Sequence, residues 1–284
     1  MPANADLEVT FTPPAPYLLS RSIGPPDTTR RYRGGVLELV YPVGGEGVAA
    51  ARVWQRADAT LAARITSSQP EAAHDRLREL LAVGLDTRPF LRTAAADPLL
   101  SPMLVRLRGL RPLLVSTPVQ ALIRAVCGQL IRSAEAIRIE RRINYTLGTR
   151  HQRFALSPDA AALAAAHPAL LERAGLSPKR SVVLTRAARR LKLEALAGAD
   201  ADAARMRVLR EPGLGPWSAG VVLMYGFGRH EQGLTGDLAL VRLARALRLD
   251  GDRELVERYG PWSGLASVWL THHPLSRRHA LPAA

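Results

Sequence analysis

A single cysteine, Cys127, stands in 284 residues. The chain therefore cannot close an internal disulfide, and it lacks the thiolates that would hold an iron–sulfur cluster. Lysine is almost missing as well: Lys179 and Lys192 are the only two among the 39 Lys and Arg. Aromatic residues make up 5% of the chain. No apolar run approaches the roughly 20 residues that a bilayer-spanning helix requires. The opening residues lack a basic segment followed by an apolar one, so no secretory signal is read. The expected location is the cytoplasm, with nucleoid association in a bacterium, and no membrane partner is expected. Of the seven histidines, His272 and His273 form the one adjacent pair. Neither Cys nor carboxylate stands beside them at metal spacing, so solvated side chains are expected there.

What is present is apolar residues and positive charge. The hydrophobic fraction of 47% is ample for a buried core. The length allows one large domain or two to three smaller ones. A formal charge of +14, carried almost wholly by arginine, favours a polyanionic partner, with nucleic acid first among the candidates. An Arg- and Ala-rich composition could give the same surplus without binding. The salt dependence of DNA affinity separates the two readings.

The first 85 or so residues alternate in the manner of strands at residues 7–12, 36–41, 50–55 and 61–66, with Gly34-Gly35 and Gly44-Gly45 as turns. Residues 71–83 read as an amphipathic helix with Ala73, Leu77, Leu80 and Leu81 on one side. From about residue 86 the strand signals stop. Thr117-Pro118, Ser157-Pro158 and Ser177-Pro178 each pair a capping side chain with a proline suited to the first helical turn. They predict helices from 118 toward Ile143, over 158–173 and over 178–192, with a last helix over 264–271. The remainder of the chain is predicted to be all-α.

The most informative stretch is Leu209-Arg210-Glu211-Pro212-Gly213-Leu214-Gly215-Pro216-Trp217-Ser218-Ala219-Gly220, which reads as helix, tight turn, helix. Gly215 is expected to take a positive φ, and Pro216 opens the second helix. Such a turn leaves unpaired N–H groups at a helix start, where a phosphate can bind. A plain helix connection with a glycine cap fits it equally. Downstream, Thr235-Gly236-Asp237 precedes a helical pattern of Leu240, Leu243, Ala244 and Leu247. That placement makes Asp237 either an ordinary N-cap carboxylate or a carboxylate held opposite the hairpin.

The hairpin and Gly236-Asp237-Leu238 together resemble the helix-hairpin-helix DNA glycosylase superfamily, most closely the 3-methyladenine DNA glycosylase II type. Residues 117–129 and Gly175-Leu176-Ser177-Pro178-Lys179-Arg180 carry the same likeness. The resemblance implies an α+β fold. An antiparallel β-sheet domain like that of TATA-binding protein, residues 1–88, would precede an all-α helix-hairpin-helix glycosylase domain, residues 89–284, with two helical subdomains and the active cleft between them. It also implies a DNA-binding set of Gly213, Leu214, Gly215, Trp217 and Ser218. A monovalent ion, Na+ or K+, would be held by the main-chain carbonyls of Leu209, Glu211 and Leu214. Gln129 would lie near the flipped nucleotide. The family's small polar residue after this element is replaced by Arg132, and an aromatic position late in the chain is occupied by Thr271.

Breaking an N-glycosidic bond builds positive charge on the sugar, which a carboxylate beside the ring stabilises while orienting water. Asp237 is the catalytic candidate. Asp250, Asp252 and Glu254 are its rivals, expected to face solvent in a polar turn. Related bifunctional enzymes place a lysine just after the hairpin, whereas Trp217 stands here, so hydrolysis without strand cleavage is expected. The base must leave the stack to be reached. Trp217, Tyr225, Trp262 and Trp269 could stack on a cationic alkylated base or simply pack the core. Trp217, Gln129, Tyr225 and Trp269 are the substrate-binding candidates. The function expected is a monofunctional glycosylase that excises alkylated bases from double-stranded DNA, acting as a monomer. The alternatives are a non-catalytic or differently specific helix-hairpin-helix DNA-binding protein and a basic helical scaffold for RNA or protein.

Overall fold

The computed structural model describes residues 5–45 and 47–277. The outer ends of the two expected domains, residues 1–4 and 278–284, lie outside the described residues. The first part is an antiparallel five-stranded sheet of order β1-β5-β4-β3-β2. Its strands are β1 (Ala5–Phe11), β2 (Arg30–Arg33), β3 (Val36–Val43), β4 (Gly47–Gln55) and β5 (Leu61–Ser67). Arg33 pairs with Val36 across Gly34 and Gly35, whose φ angles of 57° and 80° make the two-residue turn that matches strand twist. A short helix α1 (Leu19–Ser22) and the longer α2 (Pro70–Leu80) complete this part. Ala73, Leu77 and Leu80 of α2 are buried in one core with Leu37, Val53 and Ile65 of the sheet.

The strand β2 was not among the four predicted from alternation. Its sequence, Arg-Arg-Tyr-Arg, offers no apolar face, and only its pairing with β3 makes it a strand.

The second part is helical. It comprises α3 (Arg88–Ala96), α4 (Leu104–Leu107), α5 (Pro118–Cys127), α6 (Ser133–Leu147), α7 (Ala160–Ala165), α8 (Pro168–Arg173), α9 (Pro178–Arg190), α10 (Glu194–Ala197), α11 (Ala201–Leu209), α12 (Pro216–Phe227), α13 (Leu238–Ala246), α14 (Asp252–Glu257), α15 (Ser263–Leu270) and α16 (Pro274–Arg277). A two-residue hairpin of β6 (Arg150–His151) and β7 (Phe154–Ala155) interrupts it, so this part is not wholly α as predicted. Phe154 and Leu156 pack on Val40 of the sheet.

Two predicted helices are divided. The one from 118 toward 143 breaks after Cys127, and Leu130 takes a φ of 53°, outside the helical region. The one over 158–173 starts later and splits at Pro168, with Asp159 rather than Ser157 as its first cap. The Ser157 hydroxyl instead meets that of Thr117, the cap of α5, at 2.6 Å.

The helices share a second core centred on Leu122, Leu184, Val222, Leu243 and Trp269. The chain between the expected domains does not part cleanly at residue 88, because Leu113 and Leu114 return to the sheet's core. Arg111, fully buried, clamps this crossing: its guanidinium donates to the carbonyls of Ala82, Val83, Leu85 and Ala15 and lies 4.9 Å from the Tyr17 ring centre. A buried ionic cluster makes a second tie. Asp27 pairs with Arg30 at 3.0 Å and Arg124 at 3.3 Å, and Arg124 pairs with Glu140 at 3.0 Å. Burial pushes the Asp27 carboxyl up, but Arg30, Arg124 and the Thr29 donors outweigh it and hold it below the usual carboxylate range.

No helix among the described residues is long and apolar enough to cross a membrane.

Candidate functional site

The hairpin joins α11 to α12 through residues 210–215. Gly213, not Gly215, carries the positive φ, at 90°. A β-carbon at Gly213 would lie 2.6 Å from Val183 of α9, so packing as well as dihedral demands glycine there. Gly215 is extended, with φ −101° and ψ −173°, and caps α12. A β-carbon on Gly215 would meet nothing within 4 Å. Neither backbone geometry nor packing requires that glycine. What it provides is an open approach to the helix start.

The first bond of α12 runs from the Ala219 N–H to the Gly215 carbonyl at 3.0 Å. Pro216 has no N–H, and those of Trp217 and Ser218 have no intrahelical acceptor. They are the donors on offer to a phosphate. Leu214, expected in the same set, offers none. Its N–H closes the turn on the Glu211 carbonyl at 3.0 Å, and its side chain is buried. The Ser218 hydroxyl is turned inward, 3.2 Å from Gln129 Nε2, so only its main chain faces the approach.

Arginines brace this turn from behind. Arg186 of α9 donates through Nε to Glu211 at 2.6 Å and through Nη2 to the Pro212 carbonyl, and Arg190 lies 3.6 Å from Glu211. Gln129 donates to the Gly213 carbonyl at 2.7 Å. Its amide nitrogen is thus committed to the hairpin, while the residue also lines the neighbouring cleft. The carbonyls expected to hold a monovalent ion are neutral hard oxygens, as such an ion requires. Glu211's carbonyl keeps one lone pair after accepting from Leu214. The donor chemistry therefore fits.

A cleft of about 1420 Å³ opens beside the hairpin. Its walls come from residues 20–25, 110–113, 128–133, 215–218 and 234–239, with Tyr225, Arg242, Asp252, Thr271 and His272. Asp237 sits at its edge, half-buried. One carboxylate oxygen accepts from the Ala239 N–H at 2.8 Å, capping α13, and the other accepts from Trp217 Nε1 at a long 3.3 Å. The capping reading of Asp237 is met, and its second oxygen is turned to the hairpin helix rather than away from it.

Trp217 is wedged. A β-carbon at Gly128 would lie 2.5 Å from its ring, and one at Gly236 would lie 3.6 Å from its Cβ. The missing side chain at Gly128 gives the indole its slot. Tyr225, half-buried, lines the same cleft. Burial raises its hydroxyl above the usual phenol range; Arg124 and Arg30 oppose the rise and Asp237 adds to it.

Trp269 was expected at the substrate, and the structure corrects this. It is 1% exposed and meets Phe90 edge to face at 5.0 Å, in the helical core. Trp262 also packs on Phe90, with ring centres 6.0 Å apart. Helical spacing alone could not tell a core tryptophan from a cleft one.

Asp252 is corrected in the opposite sense. Expected in solvent, it is 8% exposed and lines the cleft, accepting from the Gly236 N–H at 2.6 Å. Helical spacing puts Leu130 in one buried stripe with Val119, Leu122, Ile123 and Val126, and the structure corrects this. It is 80% exposed on the cleft-lining loop between α5 and α6. An apolar residue directly after Gly128-Gln129, just past the last buried turn of α5, was the available signal.

The five-stranded sheet, the helical part and the hairpin follow the fold of solved DNA glycosylases. No family model matches the chain. Among solved structures it superposes on a 3-methyladenine DNA glycosylase from Archaeoglobus fulgidus with a TM-score of 0.79 at 19% identity, over 93% of this chain and 97% of that one. The Clostridium acetobutylicum 8-oxoguanine glycosylase/lyase gives a TM-score of 0.74 at 15% identity, over 95% and 98%. In sequence the likeness is to the AlkA branch. The chain is 28% identical over 216 residues to a probable bifunctional transcriptional activator/DNA repair enzyme AlkA of Mycobacterium tuberculosis. That match takes in 71% of this chain and spans 43% of the relative's length.

Proposed function

We propose that this chain is a DNA glycosylase that grips double-stranded DNA at the hairpin, receives a flipped damaged base in the cleft and hydrolyses its N-glycosidic bond. The observation that carries the reading is the meeting, in one cleft, of the Asp237 carboxylate with the Trp217 and Ser218 N–H groups of the hairpin helix. A phosphate bound by those donors would bring its sugar toward Asp237. The carboxylate then stabilises the positive charge that grows on the sugar as the base departs and orients the attacking water.

Leu130 is proposed to fill the space the base vacates. It is an exposed apolar side chain on a loop tied to the hairpin through Gln129, and an apolar wedge between base steps is a known way to hold DNA deformed. A monovalent ion on the carbonyls of Leu209, Glu211 and Leu214 would add positive charge behind the phosphate donors.

Two features support a monofunctional enzyme. Trp217 occupies the position after the hairpin, and neither Lys179 nor Lys192 lines the cleft. Hydrolysis with water as nucleophile follows, and no amine attack on the sugar. Alkylated bases of the 3-methyladenine and 7-methylguanine type are the proposed substrates. Many are cationic, leave without a strong general acid, and would meet the ring faces of Trp217 and Tyr225.

A second reading, a duplex-binding protein without base chemistry, is favoured by one observation: beside α15 the cleft is lined by Val268 and Thr271, while Trp269 turns away into the core. Incubation with methylated duplex DNA separates the two. Free methylpurine and intact, alkali-labile strands support the hydrolase. Strand breaks without alkali would reveal a lyase, and no released base would leave the binding protein.

A further inference from the structure

We infer that Asp252 is a positioning residue for the reaction, holding the Thr235-Gly236 peptide so that the Asp237 carboxylate that follows stays in the cleft. This rests on the glycosylase reading above and extends it to a residue outside the hairpin and the α13 cap.

The segment 233–237 has no regular structure, yet it carries the carboxylate. Its main chain is fixed at successive points. Ser267 Oγ of α15 accepts from the Leu234 N–H at 3.1 Å, and the Leu234 carbonyl accepts from the Asp237 N–H at 3.0 Å. Asp252 Oδ2 accepts from the Gly236 N–H at 2.6 Å. Gly236 has a φ of 92°, a conformation that glycine alone adopts readily. A flexible residue therefore precedes the carboxylate, and the bond from Asp252 removes that freedom.

The bond is charge-assisted and short, the stronger class of hydrogen bond. Its acceptor is nearly buried, so water competes poorly for the Gly236 N–H. Asp252 is itself secured from below. It opens α14, whose Leu255 and Val256 are fully buried in the helical core, and Val256 packs against Gly233 of the same segment. The carboxylate is thus a strut between a rigid helix and a loop, and its role is geometric.

Single-turnover base release and affinity for a duplex bearing a tetrahydrofuran abasic site test this, with Asp252→Ala and Asp252→Asn beside the unaltered chain. Asparagine keeps an oxygen to accept from Gly236, and alanine does not. In D252A the rate constant is expected to fall about 10- to 100-fold, the scale of a small misplacement of a catalytic group, with affinity within about twofold. D252N is expected to restore most of the rate. Equal rates in D252A and the unaltered chain would overturn the proposal. So would a loss in D252N as deep as in D252A, which would mean that charge rather than the hydrogen bond matters. Amide hydrogen exchange at Gly236 is expected to quicken in D252A and to stay slow in D252N. This readout is independent of catalysis. An unaltered chain that releases no base defeats the glycosylase reading alone, whereas unchanged Gly236 exchange in D252A defeats the strut.

Discussion

The carbonyl oxygen of Gly233 occupies the place where a side chain on Gly220 would begin. Gly220 lies on α12 one turn after Trp217, and Gly233 starts the segment that delivers Asp237. The loop can lie against the hairpin helix only because the helix has no β-carbon there. This close approach brings Trp217 and Ser218 at the start of one helix and the Asp237 carboxylate at the start of the next into one cleft.

Gly220→Ala should therefore displace the 233–237 segment. Alanine is the better helix former by about 1 kcal/mol, but overpacking of this kind costs about 1–3 kcal/mol. Base release is expected to fall more than duplex affinity. A chemical denaturation midpoint measured beside the rate separates lost position from lost fold. A rate at the level of the unaltered chain would mean that the loop accommodates the methyl group elsewhere.

Asp237→Asn keeps a good helix cap, because asparagine caps as well as aspartate, and removes the charge. Base release is expected to drop by at least about 100-fold while affinity for abasic-site duplex survives. Release at the normal rate would take Asp237 out of the chemistry.

The two hairpin glycines should respond differently. Gly215→Ala is expected to fold and bind nearly as the unaltered chain does, since its β-carbon meets open space. Gly215→Glu, which sets a carboxylate against the phosphate, should weaken binding to every duplex and flatten its salt dependence. Gly213→Ala should destabilise the fold itself by roughly 1–3 kcal/mol, through strain at positive φ and contact with Val183. Fluorescence anisotropy across a salt series, paired with thermal unfolding, distinguishes these outcomes.

Leu130→Ala removes the exposed apolar side chain without touching the hairpin contacts of Gln129. Base release and abasic-site affinity should both decline, while binding to undamaged duplex, governed by phosphates, changes little. An equal decline for damaged and undamaged duplex would argue against insertion.

His230 sets an acid limit on stability. Burial, with Arg111 nearby, pushes its imidazole down to about 4. Between the unfolded value of about 6.5 and that folded value, the unfolded chain takes up a proton that the folded chain refuses. Stability present above pH 6.5 is therefore lost as pH falls toward 4, by up to about 1.4 kcal/mol per unit. Denaturation in urea at several pH values measures the slope. His230→Gln should reduce it across this window, and an unaltered slope would place the dependence on other groups.

Much of this protein was legible in its residue order, because the relevant physics is local. Thr117 and Ser177 announced helix starts by being capping residues, and each accepts from an N–H of the first turn. The pairs at Gly34-Gly35 and Pro212-Gly213 announced turns, because few other residues reach those dihedrals. Sheet first, helices after, hairpin and Gly-Asp element could all be read from short windows. What lay beyond a window was decided by packing. Arg30–Arg33 became a strand through a partner, not a pattern. Trp217 and Trp269 are the same residue on apolar helices, yet one lines the cleft and the other packs on Phe90. Asp237 and Asp252 each stand at a helix start. Only the crossing of the 233–237 loop over Gly220, with α14 beneath it, turned one toward the cleft and set the other to hold it. Hydrogen-bond chemistry is written in the side chain, whereas its direction depends on neighbours that the chain brings together only when it folds.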